Sequence, residues 1–213
     1  MRSMGLAIGT CVFAVGVHAT VVFSDNFNAG ADPAWGNQSG QWRARHGTYD
    51  AKIPGNGQTH PVTYTDVTTE KSLADFTVHV TVKDLNDGGV WLRSDYNGGQ
   101  INGVLLVTGG DLGTFNGFYW HIVQDGNFSA PLNRVDFPGA QGSTQKLRIT
   151  VKGTVYSLFV GTSATPLTTL ETSVFSTGSV GLYDFSPNSG ASSPRGQVFD
   201  NFEIVTGHDQ GIR

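Results

Sequence analysis

The chain opens and closes on nearly the same motif: Val22-Phe23-Ser24-Asp25-Asn26-Phe27 near the start and Val198-Phe199-Asp200-Asn201-Phe202-Glu203-Ile204 near the end. In both, Phe alternates with polar residues, the period of a half-buried strand. Two such strands at the limits of one domain are expected to be sheet neighbours, closing the chain on itself. Each holds an Asp in an otherwise apolar setting, and a carboxylate there needs hydrogen-bond donors or a cation.

The residues before the first of these strands read as a targeting segment. Arg2 precedes an apolar run, Gly5 to Val17, and Val17 and Ala19 supply small residues at the −3 and −1 positions of a cleavage site. The run is shorter than the roughly 20 residues a membrane-spanning helix needs. A signal peptide over 1–19 is therefore expected, with the product secreted or periplasmic. The single cysteine, Cys11, lies inside that segment, so the exported domain is expected to have neither a disulfide nor a lipid anchor. Such a domain must be held together by its core or by a metal ion.

The formal net charge is −4, and it becomes −5 once Arg2 is removed with the signal. No basic cluster stands out, which argues against nucleic acid and against anionic membranes as partners. Charged residues are sparse, at 14%, while Gly reaches 29 residues; this suits many tight turns between strands rather than helices. Asp75 to Lys83 alternates Phe76, Val78, Val80 and Val82 with Thr77, His79, Thr81 and Lys83, an antiparallel strand with one dry and one wet face. Gly153-Thr154 between Leu147–Lys152 and Val155–Val160 is a hairpin signal. Trp42 to Ala51 reads as a bent strand or hairpin. Short strands at this spacing predict a sandwich or barrel. A single β domain over 20–206 follows, with a short polar tail at 207–213.

Taken in order, Phe23-Ser-Asp-Asn-Phe27, Trp42 … Gly47, Asp75-Phe-Thr-Val78, Gly89-Val-Trp-Leu-Arg93, Lys146-Leu-Arg-Ile-Thr-Val-Lys-Gly153, Gly178-Ser-Val-Gly-Leu-Tyr183 and Phe199-Asp-Asn-Phe202 resemble the concanavalin A-like lectin/glucanase jelly roll. The nearest likeness is to laminin-G-like and 3-keto-disaccharide-hydrolase-like domains, over roughly residues 22–206. The resemblance implies an all-β, two-sheet antiparallel jelly-roll sandwich, with carbohydrate bound on a concave face or its rim. Enzymes share the fold, so it does not by itself separate binding from catalysis.

The strand Gly89 to Ser94 carries the first ligand candidates. Period two puts Val90 and Leu92 on one face and Trp91 and Arg93 on the other. With the aliphatics as core, Trp91 and Arg93 are expected side by side facing outward. An indole stacks on the apolar face of a sugar ring, and a guanidinium donates paired hydrogen bonds to hydroxyls or carboxylates. Phe118 to Val123 repeats the pattern, adding Tyr119 and His121 to the same polar-aromatic face. Asp95 and Tyr96 follow at the rim, with Asp184 a further rim candidate. Asn37 and Asn127 stand in glycosylation acceptor sequences.

Catalytic signals are weak. The paired-glutamate strand of the jelly-roll glucanases is absent, since the only glutamates are Glu70, Glu171 and Glu203. A hydrolase would need two carboxylates at a fixed separation. A lyase would need Tyr119 or His121 as base, with Arg93 neutralising a uronate. A purely structural or adhesive surface protein is the third reading. For a metal, Asp25 and Asp200 on the two terminal strands are the candidate ligands of a structural calcium, as in related jelly rolls. No organic cofactor is implied.

Overall fold

The computed structural model describes residues 18–53, 63–97, 100–109, 116–185 and 197–207; the expected signal run and the polar tail from 208 lie outside them. In chain order the strands are β1 (Thr20–Asp25), β2 (Trp35–Ser39), β3 (Gln41–Arg45), β4 (Thr48–Ile53), β5 (Thr63–Val67) and β6 (Phe76–Lys83). Then come β7 (Gly88–Asn97), β8 (Gln100–Thr108), β9 (Gly117–Gln124), β10 (Asn127–Phe128) and β11 (Leu132–Asp136). The last are β12 (Gln145–Lys152), β13 (Val155–Val160), β14 (Thr168–Glu171), β15 (Ser179–Asp184) and β16 (Val198–Thr206). No helix occurs among the described residues.

These strands form two antiparallel sheets. The first runs β14-β13-β12-β6-β16-β4-β3, and the second runs β10-β9-β8-β7-β15-β5-β2 with β11 paired to β9. Strand β16 is the hinge of the first sheet. One of its edges pairs with β6; the other is shared by β4 at Val198–Phe199 and by β1 at Phe202–Thr206. The first and last strands are thus neighbours, as the matching motifs at the chain ends require. The architecture is a jelly-roll sandwich.

Local sequence explains the elements. On β6, Val78, Val80 and Val82 enter the core while His79 and Lys83 stay partly exposed; Thr77 and Thr81 are also buried on the far face. The β3–β4 hairpin turns through His46 and Gly47, both at positive φ (52° and 70°), the backbone that a tight two-residue hairpin needs. Gly153 (φ 57°) turns β12 into β13.

The core lies between the sheets, and an aromatic cluster within it joins the chain ends. Phe27 stacks on Tyr49 at 5.0 Å, and Trp35 meets Phe202 edge-on at 5.0 Å and Phe23 at 5.5 Å. Aromatic pairs of this kind contribute about 0.5–1.5 kcal/mol beyond their buried area. They do locally what a disulfide would do in a stapled domain.

Candidate functional site

A second apolar layer lies outside the core, on the far face of the second sheet. It holds Tyr64, Trp91, Ile101, Leu105, Val107, Tyr119, Val123 and Tyr183, with Tyr96, Phe128 and Phe185 packed against it. Alternation builds it: Val90, Leu92, Phe118, Trp120, Val180 and Leu182 point into the main core, so their neighbours point out. Pairing then aligns those neighbours into a row, Gly181–Trp91–Leu105–His121. At Gly181 and Gly89 the backbone of a neighbouring strand comes too close for a side chain. A Cβ at Gly89 would stand 2.0 Å from the Leu106 carbonyl oxygen, and one at Gly181 would stand 2.4 Å from that of Thr65.

Trp91 takes the expected face but not the expected exposure. It is 0% exposed, flanked by Tyr64, Tyr183 and Phe128 at 6.3, 6.0 and 6.1 Å, all edge-on. Its indole N–H is buried without a hydrogen-bond partner. The rings that do reach solvent stand on this floor. Half-buried Tyr96 stacks on Tyr64 at 5.5 Å, and Phe128 meets His121 edge-on at 5.4 Å. His121 in turn meets Tyr119 at 5.2 Å. Its Nδ1 lies 2.7 Å from the Ser129 carbonyl oxygen. A carbonyl only accepts, so Nδ1 carries the proton and Nε2 is the acceptor of the neutral ring. Asp95 is exposed at the end of β7, opposite Asn102.

Arg93 departs from the expected outward placement. The register shifts between Leu92 and Asp95 on β7, and Arg93 sits at φ 46°. This bulge turns the side chain away from Trp91 and toward Tyr156 of the opposite sheet. There it is 3% exposed. Its Nε and Nη2 donate to the Ala74 carbonyl at 3.0 and 2.6 Å, and Nη1 donates to the Phe175 carbonyl at 2.8 Å and the Tyr156 hydroxyl at 3.3 Å. Arg93 is a structural cation, not a ligand group. Arg134 does lie against the outer layer, its guanidinium 5.6 Å from the centre of the Tyr119 ring.

Asp184 also departs from the rim. It is 1% exposed, and burial raises its pKa to about 7 against the pull of the Gln197 backbone N–H, with the charge of Asp50 adding to the rise. Burial likewise pushes Tyr183 well above the usual phenol range, helped by the charges of Asp87, Tyr119 and Asp184.

Each aspartate of the expected calcium pair has partners within the protein. Asp25 Oδ1 accepts from the Phe27 N–H at 2.7 Å, and Oδ2 accepts from the Asp32 N–H at 2.7 Å and the Trp35 indole at 3.0 Å. Asp200 pairs with Lys83 at 2.7 Å and accepts from the Asn201 N–H. No group of three or more His, Cys, Asp or Glu that could hold a metal occurs among the described residues. Internal donors answer the need for a partner at Asp25.

No family model matches the chain, and no curated protein matches it. Solved structures do. The carbohydrate-binding module CBM66 from Bacillus subtilis matches with a TM-score of 0.61 at 17% identity, over 81% of this chain and 96% of that one. SCLam, a GH16 endo-β-1,3(4)-glucanase, matches at 0.59 and 9%, over 91% and 93%. The exoplasmic/lumenal domain of VIP36, in a Ca2+/Man3GlcNAc-bound form, matches at 0.56 and 12%, over 85% and 86%. The fold is of the concanavalin A-like jelly-roll type. At these identities the likeness is one of fold, and function rests on the site.

Proposed function

We propose that the chain is an exported carbohydrate-binding domain, related to the laminin-G-like jelly rolls, that holds a poly- or oligosaccharide on the outer face of its second sheet. The observation that carries this reading is the set of partly exposed rings, Tyr96, His121 and Phe128, standing on a buried aromatic floor centred on Trp91. The outer face of an antiparallel sheet is ordinarily polar. Here it carries rings braced from beneath, which reduces the ordering cost of stacking on a sugar. Asp95 supplies an exposed carboxylate at the rim.

Burial of Trp91 alone would suit a pure scaffold; the partly exposed rings beside it favour the binding reading. The catalytic alternative draws no support from Asp184, whose carboxyl is buried.

Affinity electrophoresis of the full chain against a panel of soluble polysaccharides tests the reading, with Tyr96→Ala and Phe128→Ala run beside it. Retardation that either variant weakens by about three- to tenfold is expected from the loss of one stacking partner. Trp91→Ala is the wrong probe, because removing the floor disturbs the whole layer. Retardation untouched by both ring variants would move the site elsewhere, and no retardation on any glycan would end the binding reading.

A further inference from the structure

Phe128 and Leu132 lie four residues apart, and period two would place both on one face. They lie on opposite faces: Phe128 packs on the outer layer, Leu132 against the main core. Strand β10 meets β9 at Phe128↔Val123, and β11 meets it at Leu132↔Trp120. Three residues, Ser129, Ala130 and Pro131, therefore stand opposite two, His121 and Ile122. The extra residue is a bulge, the device that re-aims a side chain. Pro131 has no N–H to give the ladder, so the chain leaves β9 at this point.

Ser129 closes the break. Its N–H donates to the Ile122 carbonyl at 3.0 Å, as an antiparallel ladder requires. The return bond differs. The Ile122 N–H donates to the Ser129 hydroxyl oxygen at 3.1 Å. The Ser129 carbonyl, freed from that N–H, accepts instead from His121 Nδ1 at 2.7 Å. The hydroxyl gives its own proton to the Ala130 carbonyl at 2.9 Å. One side chain thus replaces a backbone acceptor, and the acceptor it replaces holds the imidazole. That imidazole stands edge-on to Phe128 at 5.4 Å, and Trp91 meets Phe128 at 6.1 Å.

We propose that Ser129 is a positioning residue of the ligand face: its hydroxyl frees the carbonyl that fixes His121, and His121 braces Phe128. The inference rests on the glycan-binding reading and says what orders one of its rings. Ser129 and His121 act here within the protein, and Phe128 is the ring that meets the sugar. Without the hydroxyl, the Ile122 N–H regains an acceptor by drawing the Ser129 carbonyl back into the ladder, which releases the imidazole. Binding would then have to order Phe128 as well.

The test uses Ser129→Ala and Ser129→Thr, each alone and combined with Phe128→Ala, as full chains made in bacterial cells so that the acceptor sequence at Asn127 stays unmodified. Two readouts are taken: glycan retardation by affinity electrophoresis, and the His121 tautomer by nitrogen-15 NMR without glycan. Wild type and Ser129→Thr should hold His121 protonated at Nδ1, and Ser129→Ala should lose that preference. Ser129→Ala should weaken retardation about three- to tenfold, and Ser129→Thr should keep it. On Phe128→Ala, Ser129→Ala should add nothing, because both act through one ring. Ser129 is half-buried, so Ser129→Ala should melt within about 4 °C of wild type. Undiminished retardation of Ser129→Ala, a further loss on top of Phe128→Ala, or an unchanged His121 tautomer would each overturn the positioning role. The glycan-binding reading would survive any of these if Phe128→Ala still weakened retardation. A wild type retarded by no glycan would end both.

Discussion

Replacing Arg93 with Met separates a ligand group from a structural cation. The guanidinium is 3% exposed and satisfies the carbonyls of Ala74 and Phe175. Its one acidic neighbour, Asp75, is 3.6 Å away and 63% exposed, so that pair adds little. Methionine fills much of the volume but leaves both carbonyls without their donor. Each buried acceptor so stranded costs about 1–3 kcal/mol; Ala74 is exposed and Phe175 half-buried, so water answers part of the loss and the sum is about 3 kcal/mol. For a domain of this size each kcal/mol lowers Tm by about 2–4 °C, a fall of roughly 6–12 °C. The assay is thermal unfolding by circular dichroism, paired with glycan binding by the folded protein at low temperature. Arg93→Met should lose stability and keep its affinity. A variant that melts within 2 °C of wild type yet no longer binds would refute the structural assignment and return Arg93 to the outer face.

Asp184 makes stability depend on pH. Its pKa rises from 3.8 to about 7 on folding, so between these values the native state binds more protons than the unfolded chain and stability falls as pH increases. The shift corresponds to at most about 4 kcal/mol. Urea unfolding of Asp184→Asn against wild type should show a difference that moves in the variant's favour from pH 5 to pH 8; a difference independent of pH contradicts the buried, proton-holding carboxyl. Asp25→Ala removes the acceptor of three N–H groups and should cost about 2–4 kcal/mol, while chelation by EDTA should leave the wild-type Tm unchanged. A Tm that drops with EDTA and recovers with calcium would reinstate the metal. Gly89→Ala should fail to fold, because its Cβ would meet the Leu106 carbonyl oxygen at 2.0 Å; soluble, cooperatively melting protein would show that β7 and β8 can part.

Much of the architecture is legible in the residues. Period two on Asp75–Lys83, Leu147–Lys152 and Phe118–Val123 identifies strands and their core faces, because alternation is a property of the extended backbone itself. The likeness of Phe23–Phe27 to Phe199–Phe202 announces that the chain ends meet. The facing of Trp91 and Tyr119 follows from the same rule, since no bulge intervenes between them and the aliphatics that anchor their strands.

The rule stops where the register slips. Leu132-Asn-Arg-Val-Asp136 read by alternation places Arg134 beside Leu132 in the core, and Gly89 to Ser94 read the same way places Arg93 beside Trp91. Two bulges exchange their roles, sending Arg93 inward to Tyr156 and Arg134 outward to Tyr119. A bulge is set by how two strands pair across the sheet, and the partner strand is distant in sequence. Burial is equally non-local. Asp184 and Trp91 lie on strands any reader would draw, yet whether such a face is wet depends on what packs over it. The sequence by itself therefore determined the strands, their core faces and the closure of the sandwich, all of which are written in neighbouring residues. Only the tertiary structure decided which arginine is buried and which rings reach solvent, because pairing and packing join residues that the chain keeps far apart.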